Sequence, residues 1–208
     1  MPTSSIYNLL KNRRSIHRYL SNDIPETVLN RVLKAAIWAP SAHNAQPWRF
    51  IVIQDLMVKK KLAEAMASEW DKDLRKNGFS AGERERLIKA SLETFTNSPS
   101  LIVACLTMED MDKYPDRRRQ SAEYLMGVQS VAAAIQNLLL AAHAEGLGTC
   151  WFCAPLFCQK TVKEALKMPE SVEPQALITI GYPAETPEAS LRKPLKSVIH
   201  QNHWEKAK

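Results

Sequence analysis

Two uninterrupted apolar runs constrain this chain most: "SLIVACLTM", Ser100 to Met108, and "PQALITIGY", Pro174 to Tyr182. A half-exposed strand alternates apolar and polar residues, because successive side chains point to opposite faces. These runs do not alternate, so both are read as strands of a covered sheet. "RFIVIQ", Arg49 to Gln54, and the start of "GTCWFCAP", Gly148 to Pro155, read as two further strands. Helices supply the cover. From Glu26, the residues Val28, Leu29, Val32, Leu33, Ala36 and Ile37 recur at helical spacing until Pro40 stops the pattern. A long helix is expected from about Ala122 to Glu145, with Val128, Val131, Ile135, Leu138 and Ala142 on one face and Gly146 as its cap. Ser4 to Lys11, Lys59 to Lys76, Ala81 to Phe95 and Gln159 to Lys167 are expected to be helical too. The elements do not alternate as repeated βαβ units, so the fold class is α+β with a central sheet.

A chain of 208 residues suits a single domain, residues 1–208, with a real core. Its start lacks a continuous apolar segment and a small-residue cleavage site, and no run of about 18 apolar residues occurs. A cytoplasmic location without a membrane span is therefore expected. The tail from Pro183 to Lys208 holds Leu191, Leu195, Val198, Ile199 and Trp204, too apolar for a free tail, so it is read as an arm packed on something. Cys150, Cys153 and Cys158 lack the second CxxC of a four-thiolate site and are read as packing residues, with no metal expected.

The net charge of +6 favours an anionic partner. The basic residues are divided between the two ends of the chain, which argues against a nucleic-acid surface. In "NRRSIHRY", Arg13, Arg14, Ser15, His17 and Arg18 crowd a helix exit; arginine forks match phosphate oxygens, and a solvated basic turn is the plain alternative. In "APSAHNAQPWRF", Asn44 and Gln46 each donate and accept, so they could read the edge of a heterocycle, and Pro40 and Pro47 stiffen the loop. His43 could act as a base or be a merely hydrogen-bonded loop histidine. In "EGLGTCW", glycines flank Leu147, and a glycine lets a backbone N–H approach a flat ligand, or simply caps a helix and turns the chain. In "LRKPL", Arg192 and Lys193 could meet the same phosphate. There is no GxGxxG, no GxSxG and no HExxH, so a Rossmann dinucleotide site, a nucleophile elbow and a zinc hydrolase are all disfavoured.

Taken in order, "RRSIHRYL", "WAPSAHNAQPWRFIVI", "SPSLIVAC", "SVAAAIQNLLLAAHAEGLGTCWF" and "RKPLKSVIH" resemble the nitroreductase family of flavoproteins over most of the chain. The match is poor from about Met57 to Thr96, which in that family tends to carry variable substrate-side elements. The resemblance implies a mostly antiparallel sheet flanked by helices, and an FMN-bearing homodimer whose C-terminal arm, residues 183–208, crosses to the partner. It places Arg13, Arg14 and Ser15 on the FMN phosphate and ribityl chain, with His17 or Arg18 beside them and Arg192 and Lys193 closing on the phosphate. Pro40, Ser41, Ala42 and Asn44 would reach the flavin of the partner subunit, with Gln46 behind. Leu147, Gly148 and Thr149 would lie over the ring. The implied activity is ping-pong electron transfer from NAD(P)H to a small oxidised acceptor such as a nitroaromatic or quinone. No protein side chain need act as catalytic acid or base, because the flavin carries the chemistry. The same wording fits a specialised member (a flavin-destroying enzyme, a dehalogenase or a deazaflavin-related protein) and a flavin-binding carrier or regulator without turnover.

Overall fold

The computed structural model describes residues 4–204. Its centre is one four-stranded sheet: β1 (Trp48–Ile53), β2 (Ser100–Thr107), β3 (Gly148–Phe152) and β4 (Val172–Gly181), in the order β1-β2-β4-β3, with every neighbouring pair antiparallel. The two apolar runs are the two central strands. Every residue of β2 is buried, and its alternate side chains feed two different cores. Ile102, Ala104 and Leu106 join Ala176, Ile178 and Ile180 under α2 (Glu26–Ala36) and α5 (Arg117–Ala144). Leu101, Val103, Cys105 and Leu177 face the other way, against α3 (Leu56–Lys76), α4 (Ala81–Thr96) and α6 (Gln159–Leu166). The missing alternation in sequence thus has its physical cause: both faces of the sheet are covered.

Several boundaries differ from the sequence expectation, each for a local reason. Helix α5 starts at Arg117 and not near Ala122, because the Asp116 carboxylate caps it by accepting from the Arg119 N–H at 3.0 Å. Helix α3 starts at Leu56, where the Asp55 carboxylate accepts from the N–H groups of Met57 and Val58. The start of α4 at Ala81 is the expected one, fixed by a reciprocal cap between Ser80 and Glu83. Strand β4 begins at Val172, two residues before the expected start, and takes Pro174 into a central strand. The pairing register shifts between Ala104 and Cys105 opposite it, and a bulge is where a residue without an N–H is tolerated.

Helix α5 bears on the membrane reading of the sequence. It is long and apolar enough, by length and composition, to cross a membrane. It holds no uninterrupted apolar run of that length, because Ser130, Gln136 and Asn137 interrupt a window of alanines and leucines. In the fold it lies across the sheet, burying Val131, Ala134, Ile135, Leu138 and Ala142. Helix α1 (Ser4–Asn12) leads into the basic turn. Past β4 the chain is held to the body by an isolated bridge between Tyr19 and Pro183 and by the Ala184 N–H donating to the Arg18 carbonyl at 2.9 Å. Farther on, Leu191, Leu195, Val198, Ile199 and Trp204 are all exposed on the single chain. The arm's described residues leave these side chains uncovered on the single chain, and its last four residues lie outside the described residues.

Candidate functional site

The structure joins two of the four segments singled out in sequence. Ser15 and Thr149 form a parallel bridge, and the Ile16 N–H donates to the Thr149 carbonyl at 2.9 Å. The basic turn is thus stitched to the free edge of β3. Gly148 makes this possible: a Cβ there would lie 2.7 to 2.9 Å from Ile16 side-chain atoms, closer than real carbon contacts. Its glycine is demanded by the crossing of the turn. Tyr19 locks the same crossing. Its hydroxyl lies 2.5 Å from the Ile16 carbonyl oxygen and 2.7 Å from Thr179 Oγ1, and burial drives its ionisation well above the ordinary tyrosine range.

Arg13 and Arg14 are half-buried on this turn. Neither has a carboxylate partner among the described residues. Arg14 spends one N–H group on the Lys11 carbonyl, at 2.7 Å, and on that of Arg13, at 2.9 Å. Their charge is felt nearby. Burial first, and then Arg13 and Arg14, push the His143 imidazole below its ordinary value. Burial raises the Cys150 thiol, while a hydrogen bond from Ser15 and the charge of Arg13 oppose the rise. His17 reaches the same thiol, 3.9 Å from Nε2 to Sγ. Arg18 takes a different role: Glu185 accepts from the His17 and Arg18 backbone N–H groups at 2.6 and 3.2 Å and pairs with the Arg18 guanidinium at 3.7 Å. It therefore faces the start of the arm, a partner that no sequence spacing announces.

The loop holding Ser41, Ala42, His43, Asn44 and Gln46 is tightly built. His43, Asn44 and Gln46 all have positive φ, near 50°, a region that costs non-glycine residues energy unless surroundings hold them there. Three contacts do. Ser130 Oγ accepts from the Ala42 N–H at 3.2 Å, Ser41 Oγ accepts from the Gln46 N–H at 3.0 Å, and His43 Nε2 lies 3.5 Å from a Glu123 oxygen and 3.8 Å from Asp112. His43, Asp112 and Glu123 bring their ligand atoms within 4.8 Å of one another. His43 is thus a loop anchor, paired with a carboxylate buried in α5. The loop leaves the Asn44 and Gln46 side chains exposed and, among the described residues, without hydrogen bonds to the chain. Pro40 is exposed at its entry.

Leu147, Gly148 and Thr149 are buried. Strand β3 opens toward solvent only at its far end, where Trp151 and Phe152 are half-buried and Cys153 is exposed. The Trp151 indole N–H is itself buried and, among the described residues, has no hydrogen-bond partner. The glycines of "EGLGT" mark only the buried start of this strand, and the aromatic pair that follows them marks its accessible end. Arg192 and Lys193 are exposed in the arm, and the Arg192 guanidinium donates only to the carbonyls of Ser190 and Leu191. The structure does not bring them to Arg13 within one chain.

Comparison with known proteins bears on this arrangement. Residues 10–182 match the model of the Nitroreductase family. The chain belongs to the Nitroreductase family. A relative from Archaeoglobus fulgidus, named "Putative NADH dehydrogenase/NAD(P)H nitroreductase", is 32% identical over 179 residues, covering 85% of this chain and 84% of that protein. Among solved structures, a nitroreductase-type protein from Desulfovibrio desulfuricans in complex with FMN has a TM-score of 0.72 at 26% identity, covering 97% of this chain and 98% of that one. A BluB-like flavoprotein from Clostridium difficile has a TM-score of 0.80 at 21% identity, covering 94% and 98%, which is a likeness of fold. The antiparallel sheet between helical layers expected from the sequence is the nitroreductase fold.

Proposed function

We propose that this nitroreductase-family chain is an FMN-dependent oxidoreductase that takes electrons from NAD(P)H and passes them to a small oxidised acceptor. The observation that carries the reading is the pair of half-buried, carboxylate-free arginines, Arg13 and Arg14, on a turn fixed to the edge of β3. Guanidinium forks held in place without an internal counter-ion suit a phosphate dianion. The free amides of Asn44 and Gln46 suit the donor and acceptor edge of a flavin, and the rigid loop keeps them aimed. The accessible end of β3, with half-buried Phe152, offers a flat surface. These residues therefore fit FMN.

Bound FMN would supply hydride and single-electron chemistry. The chain's own part is to bind, orient and shield. Arg13 and Arg14, with Ser15 and His17 alongside, hold the phosphate end. The arm's Arg192 and Lys193 are exposed and, among the described residues, meet no carboxylate, which supports their closing on a phosphate across a homodimer. In that assembly Pro40, Ser41, Ala42, Asn44 and Gln46 of one protomer serve the flavin of its partner, and Leu147 to Thr149 form the rigid base on which the exposed end of β3 carries the ring. The apolar arm, exposed on the single chain, supports the same dimer, because such a surface calls for a covering partner.

Purified protein should be yellow and release FMN on denaturation. Arg13→Ala combined with Arg192→Ala should weaken FMN binding by about 1.5–3 kcal/mol per lost charged contact. Unchanged affinity in the double variant, measured by flavin fluorescence, would remove the phosphate assignment.

A further inference from the structure

A cavity of about 690 Å³ opens between α3, α4 and the end of β3, away from the basic turn but joined to it by one side chain. Its walls include Trp70, Phe95, Phe152 and Phe157. Phe152 meets Phe95 edge-on at 5.1 Å on the cavity side and His17 edge-on at 6.0 Å on the turn side. The volume suits a small organic ligand, and four aromatic walls suit a flat one. Two of them are costly to leave in water: Phe157 is 83% exposed and Trp70 is 39% exposed.

The charge of the walls runs against that of the chain. The protein carries +6, yet the charged wall residues are Glu69 and Asp73, four positions apart on one face of α3, and Lys76, a balance of −1. Each has a lysine partner, Lys72 at 2.7 Å and Lys76 at 3.2 Å. Those lysines are 60% and 75% exposed, against 37% and 50% for the carboxylates, so solvent screens the lysines more. The Cys158 thiol on the cavity wall registers the balance: burial raises it first, and Glu69 and Asp73 raise it further.

We infer that this cavity is a binding site for a flat aromatic molecule that bears a hydrogen-bond donor or a positive charge and no anionic group. On the flavin-reductase reading proposed above, that molecule is the electron acceptor, received on the far side of Phe152 from the phosphate-binding turn. The binding itself stands on the aromatic walls and the two carboxylates alone.

The test is equilibrium binding of three matched probes: a naphthoquinone bearing a neutral hydroxymethyl donor, the same ring bearing a sulfonate, and the same ring bearing a trimethylammonium group. Each is titrated into the full-length protein, with and without flavin, following tryptophan quenching, with Trp70→Phe identifying the reporting residue. The neutral and cationic probes should bind at least about tenfold more tightly than the sulfonate. Glu69→Gln with Asp73→Asn should remove the advantage of the cation, while Glu26→Gln with Glu188→Gln, an equal charge change on exposed positions outside the cavity, should keep it. Ala90→Trp, on an exposed wall position of α4, should block all three probes by filling the space. Equal binding of all probes, no binding of any, or unchanged binding in Ala90→Trp would overturn the inference. Because binding is read with and without flavin, a failure to hold FMN would sink the reductase reading and leave this test intact.

Discussion

Replacing Gly148 with alanine should break the joint between the basic turn and the sheet. The new Cβ would sit 2.7, 2.8 and 2.9 Å from Cγ1, Cβ and Cγ2 of Ile16, where ordinary contact begins at 3.4 Å. The groups must part by roughly 0.7 Å or more, since interiors are close-packed and one methylene is felt. Two of the atoms branch directly from Ile16 Cβ and the third is Cβ itself, so no side-chain rotation relieves the clash; the backbone of the turn has to move. That movement pulls on the Ile16 N–H bond to Thr149. Overpacking costs about 1–3 kcal/mol and a weakened hydrogen bond about 1 more, so the loss should be about 2–4 kcal/mol. Urea unfolding should show a lower midpoint at unchanged slope. Ile16→Ala alone should also destabilise, by about 2–5 kcal/mol, through the cavity it leaves. In the double variant the clashes with Cγ1 and Cγ2 are gone and only the Cβ contact at 2.8 Å remains, so the two losses should fall short of additive by at least about 1 kcal/mol. Gly148→Ala should likewise weaken FMN binding, because Arg13 and Arg14 ride on the displaced turn. A Gly148→Ala loss under about 0.5 kcal/mol, or strict additivity in the cycle, would refute the close crossing.

Other outcomes follow from the same structure. Tyr19→Phe leaves the Ile16 carbonyl and the buried Thr179 hydroxyl without the phenol and should cost about 1–3 kcal/mol by chemical denaturation. Ser130→Ala removes the acceptor for the Ala42 N–H; it should cost about 0.5–1.5 kcal/mol and speed amide exchange in the strained loop. Asp71 is held below the usual carboxylate range by its hydrogen bond from Arg84, with the charges of Arg84 and Arg75 adding to it. A depressed carboxylate stabilises the fold above its unfolded value and loses that contribution as pH falls through the folded one. Asp71→Asn should therefore be less stable than the parent at neutral pH, and the two should converge below about pH 4 in thermal melts.

The fold was largely legible because its strongest signal is local composition. "SLIVACLTM" and "ALITIGY" have no polar face, and only a sheet covered on both sides can bury them. Helix starts were read less well: Asp116 and Asp55 cap α5 and α3 through side-chain bonds that periodicity does not see. The candidate site was legible in its charges and amides and hidden in its joints. Arg13, Arg14, Asn44 and Gln46 stand out by residue type. Glu185 on the His17 amide and Glu123 beside His43 are contacts across 168 and 80 positions, which no single-chain pattern encodes. Gly148 has a reason that spacing does not show: whether it turns the chain or lets a ligand approach, its bare Cα makes room for Ile16.

The most direct test of the central claim is anaerobic reduction of the purified, flavin-loaded protein by NADH and by NADPH, followed in the visible spectrum. The account predicts that at least one nucleotide bleaches the flavin and that a quinone or nitroaromatic acceptor restores the oxidised spectrum. A protein that takes up no FMN, or whose bound FMN neither nucleotide reduces, would contradict it.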